Sequence, residues 1–252
     1  MPAPVNKFKA RLRTGETQIG LWLGLGEATT AELCAGAGFD WLVIDGEHGP
    51  NGLRDMLDQL RAVGERSSAV VRVRDDNRSV LKQMLDIGAQ TLLIPMIESA
   101  AQASEAVRSV RYPPGGVRGV GAALARASDF SAIPDYLETA DEQICLLLQV
   151  ETLAGAADID AILAVEGVDG IFVGPADLAA DMGHLGQPGA PKVRRLVRDL
   201  LERIRQSGKA AGILTFDHDL AREYAAMGVE FLAVGSDVTT FRDGLKTLRA
   251  MF

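Results

Sequence analysis

The heptapeptide GFDWLVI at residues 38–44 sets a pattern that returns three times, as GAQTLLI at residues 88–94, GVDGIFV at residues 167–173 and GVEFLAV at residues 228–234. Each copy starts with a glycine of the kind that ends a helix and continues into an apolar run typical of a buried strand. Four equivalent helix-to-strand joints in one chain indicate an internal structural repeat. They predict parallel strands that are covered by helices.

Further apolar runs bring the number of predicted strands to eight, at residues 18–24, 41–45, 69–73, 91–95, 144–150, 169–173, 210–214 and 231–235. The stretches between them are longer and amphipathic, which is typical of helices. Eight parallel strands joined by helices are the pattern of a (β/α)8 barrel, the TIM barrel of the α/β class. We therefore predict one such barrel as a single domain over residues 1–252, with an open doubly wound sheet as the alternative.

The composition limits the partners that the chain can have. Its formal net charge of -8 argues against a nucleic-acid partner, because proteins that bind nucleic acids need a concentrated basic surface. No run approaches the roughly 18 apolar residues of a membrane span. The two cysteines, Cys34 and Cys145, lie in apolar stretches and fit free thiols of the cytoplasm better than a disulfide framework. Small molecules are the predicted partners.

The second predicted strand runs into the turn DGEHG at residues 45–49. In a (β/α)8 barrel the catalytic side chains follow the carboxyl ends of the strands. A carboxylate that holds a histidine ring fixes its tautomer and sustains its basicity. We therefore predict that His48 is a general acid or base with Asp45 or Glu47 as its carboxylate partner, and a structural histidine is the alternative. His184 and His218 fall on helical segments and are predicted to be solvated.

Two carboxylates, Glu151 and Asp177, follow the fifth and sixth predicted strands and should converge on one small volume. Like charges in such a place repel each other unless a cation lies between them. Oxygen ligands without cysteine or clustered histidine fit Mg²⁺, Mn²⁺ or Co²⁺, whose shell water and substrate complete. We predict a divalent metal site at Glu151 and Asp177, while capping of the next helix is the alternative for Asp177.

Arg72 ends the third predicted strand, which otherwise consists of small and apolar residues. A guanidinium at that place can bind a substrate carboxylate or an enolate oxygen, and a structural salt bridge is the competing interpretation. After the sixth strand, the backbone N–H groups of residues 174–177 open a helix and offer a seat for a second anionic group. The long irregular stretch at residues 111–126 is either a lid or interface element, or an ordinary connection.

Six segments resemble the HpcH/HpaI aldolases, the class II pyruvate aldolases related to 4-hydroxy-2-oxoheptanedioate aldolase. They are GFDWLVIDGEHGPN, KQMLDIGAQTLLIPMIESA, RYPPGGVRGVG, LLLQVET, VDGIFVGPADLAADMG and GKAAGILT. The resemblance runs from about residue 20 to about residue 235. The combination of D-G-E-H-G, Q-x-E-T and G-P-A-D-L is highly specific, although each motif alone is weak.

The resemblance implies a divalent metal held by Glu151 and Asp177 and chelated by the keto and carboxylate oxygens of pyruvate. Arg72 would steady the enolate, and Gln149 would support the site. His48, held by Asp45, would act as the acid and base through a metal-bound water. The pyruvate carboxylate would rest on the backbone of one turn, formed by Gly174, Pro175, Ala176 and Asp177.

The resemblance also implies a homohexamer built as a trimer of dimers, and a role in the catabolism of aromatic compounds. Asp86, in KQMLDIG, is similar to a family aspartate that reaches the site of a neighbouring subunit, and a plain charge at a helix end is the alternative. One departure concerns the segment RVRDD at residues 72–76, where family members often carry a proline. Arg74 therefore leaves the identity of the aldehyde open. Three side chains are predicted to line the aldehyde end: Trp22, Leu214 and Phe216.

The lysines bear on the mechanism that the resemblance implies. An aldolase of the Schiff-base type needs a desolvated lysine at the barrel mouth. None of the six lysines follows a predicted strand: Lys7, Lys9, Lys82, Lys192, Lys209 and Lys246. A metal ion is therefore expected to do the electrophilic work.

The predicted activity is the reversible aldol cleavage of 4-hydroxy-2-oxo acids to pyruvate, or to hydroxypyruvate, and an aldehyde. A relative of citramalyl- or malyl-CoA lyase is one alternative, but it would need a cleft for coenzyme A, and the sequence offers no basic feature of that size. A non-catalytic protein that binds a metal or an oxo acid is the other alternative.

Overall fold

Eight strands close into one parallel barrel in the order β1 to β8 in this computed structural model, which describes residues 1–252. The strands are β1 Gln18–Leu23, β2 Trp41–Asp45, β3 Ser68–Arg72, β4 Thr91–Ile94, β5 Cys145–Val150, β6 Gly170–Val173, β7 Ala210–Leu214 and β8 Phe231–Ser236. Each predicted strand lies within one residue of these bounds. The predicted (β/α)8 barrel is confirmed, and the open sheet is excluded because β1 also pairs with β8.

Helices connect the strands and cover the barrel on its outside. They are α1 Lys7–Leu12, α2 Ala28–Ala35, α3 Leu53–Val63, α4 Arg78–Asp86, α5 Ala100–Val110, α6 Tyr136–Gln143, α7 Leu153–Ala157, α8 Ile159–Leu163, α9 Pro175–Asp181, α10 Pro191–Gln206, α11 His218–Ala226 and α12 Asp237–Arg249. Side-chain oxygens of Asn77, Ser99 and Asp217 accept N–H bonds in the first turns of α4, α5 and α11. These caps fix where the helices begin. No helix is both long enough and apolar enough to cross a membrane.

The glycine of each repeated heptapeptide stands in the left-handed region, as the pattern predicts. The φ angles are +90° at Gly38, +102° at Gly88, +93° at Gly167 and +82° at Gly228. Glycine has no Cβ and adopts this conformation without strain. The repeat in the sequence is therefore a repeated joint in the structure, where the chain turns from one helix into the next strand.

The barrel interior is filled by aromatic side chains, and two glycines make room for them. Trp41 and Phe231 pack edge to face, with 5.9 Å between ring centroids, and both are fully buried. A Cβ on Gly20 would lie 2.2 Å from the ring of Trp41, and a Cβ on Gly212 would lie 2.1 Å from the ring of Phe231. Phe8 of α1 packs against both rings, so the first helix closes the amino-terminal end of the barrel.

We expect Gly212→Ala to lower the free energy of unfolding by about 1–3 kcal/mol, because the added methyl group overpacks a filled core. Gly189→Ala is the matched control, since a Cβ there meets nothing within 4 Å. The measurement is denaturant unfolding of both variants. Equal midpoints for the two would show that the interior is not packed as described.

The long segment between α5 and β5 lies at the amino-terminal end of the barrel. Helix α5 leaves the carboxyl end of β4 and finishes at Val110, so the chain has crossed to the opposite end before residues 111–126 begin. Two short 3-10 turns, Ala122–Leu124 and Arg126–Ser128, give it internal order. The lid interpretation of residues 111–126 is therefore wrong for the chain's own barrel mouth, while an interface role stays a prediction.

Candidate active site

Three polar side chains meet at the carboxyl ends of β2 and β3. Arg72 donates from Nε to Asp45 Oδ1 at 2.9 Å and from Nη2 to Asp45 Oδ2 at 2.6 Å. Its third nitrogen, Nη1, lies 2.7 Å from Glu47 Oε2. All three side chains are largely shielded from solvent, so these ion pairs act with little screening. Arg72 therefore forms the salt bridge that was the competing interpretation, and this salt bridge fixes its guanidinium at the mouth.

Trp22 of β1 supports this group from inside the barrel. Its indole N–H donates to Asp45 Oδ2 at 3.1 Å, and the Arg72 guanidinium lies 5.0 Å from its ring centroid. Trp22 is only 7% exposed and packs on Phe172. Its contacts are therefore with the ion-pair cluster, whereas the sequence placed it at the aldehyde end.

The contact predicted between Asp45 and the His48 ring is wrong in this structure. Asp45 Oδ1 accepts the backbone N–H groups of Glu47 and His48 at 3.0 and 3.2 Å, and Arg72 and Trp22 occupy the rest of the carboxylate. Burial favours a higher pKa for Asp45, but the hydrogen bonds and charge of Arg72 hold that pKa below its usual value. Asp45 is thus an ionised anchor for the turn that carries His48.

Glu47 is one of the two carboxylates that the sequence places beside His48, and it is the one nearest to the His48 ring. His48 Nε2 lies 3.9 Å from Glu47 Oε2, and the His48 side chain is 67% exposed. Burial raises the pKa of Glu47, and the charges of Asp45 and Asp177 add to the effect against the attraction of Arg72 and His48. From the sequence Glu47 was expected only as a possible partner of His48, whereas in the structure it also pairs with Arg72.

Glu151 is a buried carboxylate at the carboxyl end of β5, with 1% of its surface exposed. Gln149 Nε2 donates to its Oε2, and the backbone N–H of Met96 donates to its Oε1 at 2.9 Å. Burial raises the pKa of Glu151, and the negative charges of Glu47 and Asp177 raise it further against these two donors. Glu47, Glu151 and Asp177 follow three different strands, and the first and last of them therefore act electrostatically on Glu151.

Asp177 stands in the first turn of α9, directly after β6. Its helix begins at Gly174 without a side-chain cap, so capping by the Asp177 side chain is wrong. A Cβ on Gly174 would lie 2.5 Å from Glu151 Oε2. Glycine at this point allows the backbone of the 174–177 turn to approach the buried carboxylate closely.

The backbone of this turn has two N–H groups free to bind an anion. Pro175 has no N–H, and the N–H of Gly174 donates to Val150 O at 3.0 Å. The first-turn N–H groups of Ala176 and Asp177 have no acceptor within the helix. Of the four residues predicted to seat a carboxylate, only these two can donate to it.

Two buried side-chain oxygens at the mouth lack a hydrogen-bond donor, and a cation with its water could satisfy them. Glu47 Oε2 faces Arg72 without a properly aligned hydrogen bond, and Gln149 Oε1 is buried with no partner. Buried acceptors without donors are costly, and a hydrated cation would satisfy them. No cluster of three or more His, Cys, Asp or Glu side chains is arranged as a complete protein metal site. The donor set fits an ion that takes oxygen ligands and keeps water or substrate in its shell.

The side of the mouth formed by β7 is apolar. Leu214 ends that strand half-buried, and Phe216 follows in the loop with 55% of its surface exposed. Both stand at the carboxyl end of the barrel, where a substrate would enter. That they line the aldehyde end stays a prediction.

The lysines with restricted exposure lie at the other end of the barrel. Lys209, whose pKa is lowered by burial, donates to the carbonyl oxygens of Val165 and Val168. Lys9 donates to the carbonyl oxygen of Ile144 just before β5. A lowered pKa is what an imine-forming lysine needs, but Lys209 precedes β7 and faces away from the mouth.

Asp86 also lies away from the candidate site of its own chain. It ends α4 at the amino-terminal end of the barrel and accepts a bond from Arg118 Nη2 at 2.7 Å. Arg118 is 1% exposed and lies 4.4 Å from the ring centroid of Tyr112. Within one chain Asp86 is therefore a charge at a helix end that forms an ion pair, which was the alternative interpretation. It can act in a barrel mouth only if that mouth belongs to another subunit.

Comparison with known proteins connects this geometry to a family. The profile of the HpcH/HpaI aldolase/citrate lyase family matches residues 18–244. A hydroxypyruvate/pyruvate aldolase of Pseudomonas aeruginosa is 57% identical over 100% of this chain and 94% of its own length. A 4-hydroxy-2-oxo-heptane-1,7-dioate aldolase of Escherichia coli is 52% identical, over 98% of this chain and 95% of its own.

The same family appears among solved structures. An HpcH/HpaI aldolase/citrate lyase family protein from Burkholderia cenocepacia superposes with a TM-score of 0.92 at 42% identity, covering 97% of this chain and 100% of its own. The motifs that carry the site, from the 45–49 turn to the 174–177 turn, all lie inside the matched region. The chain is therefore an enzyme of the carbon–carbon lyase class, an aldolase that belongs to the HpcH/HpaI aldolase/citrate lyase family.

Proposed function

We propose that this aldolase is metal-dependent and cleaves 4-hydroxy-2-oxo acids reversibly to pyruvate or hydroxypyruvate and an aldehyde. The observation that carries the proposal is the buried carboxylate of Glu151, whose pKa is raised by burial and further by the negative charges of Glu47 and Asp177. No lysine stands at the mouth to provide an imine. A pair of carboxylates for a divalent cation, Mg²⁺, Mn²⁺ or Co²⁺, is the arrangement that these side chains support.

Glu151 and Asp177 would hold the cation directly, and Glu47 would accept hydrogen bonds from its water. When bound, the cation supplies the positive charge that stabilises the enolate left by carbon–carbon cleavage. Arg72 is held rigidly by Asp45 and Glu47. Its guanidinium would therefore already be in place to stabilise the negative charge of the enolate. Preorganised charge costs no reorganisation during the reaction, which is how Arg72 would lower the barrier.

The oxo acid would be oriented by neutral donors on the β5 and β6 side of the mouth. The free N–H groups of Ala176 and Asp177 suit its carboxylate, because the start of a helix carries partial positive charge. The Gln149 amide is fixed by its bond to Glu151. Such an arrangement would hold the oxo acid beside the metal ligands.

His48 would move the proton of the substrate hydroxyl. Its side chain is exposed at the rim, and Glu47 is the carboxylate within reach of its ring. The contact of 3.9 Å is loose, as catalytic contacts often are before substrate binds. In cleavage the imidazole accepts the hydroxyl proton, and in the reverse direction it returns that proton to the aldehyde oxygen.

A coupled assay of pyruvate release tests the proposal. We expect the metal-loaded protein to release pyruvate from 4-hydroxy-2-oxoheptanedioate or from a shorter 4-hydroxy-2-oxo acid, and to condense pyruvate or hydroxypyruvate with a simple aldehyde. No turnover across such a panel would contradict the proposal. Cleavage restricted to a malyl- or citramalyl-CoA thioester would favour the CoA-lyase alternative.

The affinity for Mn²⁺ should fall as the pH is lowered from about 7 to about 5. The pKa values of Glu47 and Glu151 are raised by burial and by like charges, so their anionic forms are lost at a higher pH than ordinary glutamates. Protons therefore compete with the cation at a higher pH than they would at ordinary glutamates. Titration with Mn²⁺ at several pH values measures this, and an affinity that stays constant over the range would refute it. Glu47→Gln removes one negative charge near Glu151, so the loss of Mn²⁺ affinity should then occur at a lower pH.

We also propose that the chain works as a homo-oligomer, specifically a hexamer arranged as a trimer of dimers. In α12 only Asp237 is buried, although the helix and the residues after it carry many large apolar side chains. Those that are exposed by 40% to 95% are Val238, Phe241, Leu245, Leu248, Met251 and Phe252. An apolar surface of this kind is typical of an interface. A second subunit would also let Asp86 take part in a site.

Light scattering of the native chain is therefore expected to give a mass several times that of one subunit. Phe241→Asp combined with Leu245→Asp should shift that mass toward the monomer and lower turnover, because the apolar face of α12 would become charged. Asp86→Asn should lower turnover while the mass stays unchanged. An active monomer, or Asp86→Asn with unchanged activity, would contradict the shared site.

A further inference from the structure

Met96 has an unusual backbone conformation at the barrel mouth. Its φ angle is +57°, in the left-handed region that glycine adopts freely and other residues seldom adopt. The other residues of this kind besides glycine are consecutive, Asp129, Phe130 and Ser131, and belong to the long segment at the opposite end of the barrel. A strained residue at a functional site calls for a structural reason.

The side chain of Met96 does not provide that reason. It is 47% exposed, whereas its neighbour Ile97 is fully buried. Packing of an apolar side chain would pull Met96 inward, and the structure shows the opposite. The reason therefore lies in the backbone of Met96.

The backbone N–H of Met96 donates to Glu151 Oε1 at 2.9 Å. The next N–H, that of Ile97, donates to the carbonyl oxygen of Gln149 at 3.0 Å. Two successive peptide groups after β4 thus bind the end of β5, one at its backbone and one at the carboxylate proposed as a metal ligand. The left-handed turn at Met96 lets both N–H groups reach β5.

We propose that Met96 is a positioning residue whose left-handed backbone orients the Glu151 carboxylate for the divalent cation. Gln149 holds Oε2 and Met96 holds Oε1, so neither oxygen can rotate away from the volume shared with Asp177. Contacts that orient a metal ligand are worth roughly 10–100-fold in metal affinity. The inference rests on the proposed metal site. It requires that residue 96 adopt a positive φ and keep its backbone N–H, whereas the contacts of its side chain should not matter.

Direct Mn²⁺ titration of the substrate-free protein, followed by the electron paramagnetic resonance of the free ion, separates these requirements. Met96→Gly keeps the N–H and tolerates positive φ, and Met96→Leu keeps a side chain that is not branched at Cβ. Both should bind Mn²⁺ within about threefold of the native protein. Met96→Val carries a β-branched side chain that opposes positive φ, and it should bind at least about 10-fold more weakly. Met96→Thr serves as a second β-branched variant if Met96→Val yields no folded protein.

Melting of each metal-free variant distinguishes positioning from a role in the fold alone. Lower Mn²⁺ affinity in a folded β-branched variant, with native affinity in Met96→Gly, supports the proposal. Native affinity in the β-branched variants overturns it, as does a loss of affinity in Met96→Gly of 10-fold or more. If neither β-branched variant folds while Met96→Gly binds normally, the role is structural and the proposal fails. No Mn²⁺ binding by the native protein would instead refute the metal site itself.

Discussion

Removal of divalent metal should abolish turnover, and added Mg²⁺, Mn²⁺ or Co²⁺ should restore it. Two carboxylates with water and substrate form a site weak enough to exchange its ion, so a chelator can empty it. Glu151→Gln should reproduce the loss in the metal-loaded enzyme, with kcat at least about 100-fold lower. The amide has the size of the carboxylate but removes half of the protein charge that would face the ion. Pyruvate release measures both effects.

Borohydride provides the independent control for the same mechanism. Added with pyruvate, it should leave the activity and the protein mass unchanged, because no lysine is placed to form a reducible imine. A pyruvate-sized adduct on any lysine would overturn the metal mechanism. Full activity after exhaustive chelation would overturn it separately.

His48→Ala should lower kcat by about 10²–10⁴-fold while Mn²⁺ affinity stays within about threefold of the native value. The ring is exposed at the rim and is assigned a proton-transfer role, with no part in holding the ion. Loss of an acid and base affects the transition state more than binding, so the change should appear in kcat. Steady-state kinetics and Mn²⁺ titration of the same preparation separate the two effects.

His184→Ala is the matched control, because His184 lies after α9 and outside the candidate site. It should leave kcat unchanged. If His48→Ala keeps more than about a third of the native kcat, the role assigned to His48 is wrong. If it loses Mn²⁺ affinity together with kcat, His48 belongs to the metal site and not to the proton transfer.

The fold was predictable from the sequence because its signal is local and repeated. The glycine of each repeated heptapeptide marks a positive φ, and the apolar run after it is a strand on the inside of a helical layer. The rule that catalytic groups follow strand ends then selected Asp45, Arg72 and Glu151 without knowledge of their contacts. In the structure Arg72 binds Asp45 directly, and Glu151 interacts electrostatically with Glu47, which pairs with Arg72.

Contacts among neighbouring polar groups were not predictable, because several pairings fit the same sequence. The sequence suggested the His48 ring for Asp45, but the structure gives Asp45 Arg72 and leaves the His48 ring near Glu47. The positive φ of Met96 has no sequence signal, since methionine is not a residue that favours it. The role proposed for Asp86 in a neighbouring subunit's site requires a contact between two subunits, and a pattern along one chain carries no information on such a contact.

Exchange of the methyl protons of pyruvate for deuterium, followed by mass spectrometry in heavy water, tests the central claim most directly. The exchange requires the enolate but no aldehyde, so the unknown aldehyde does not affect it. The account predicts exchange in the Mg²⁺-loaded enzyme and none after chelation or in Glu151→Gln. Exchange that continues undiminished in Glu151→Gln, or an absence of exchange with both pyruvate and hydroxypyruvate in the loaded enzyme, would contradict it.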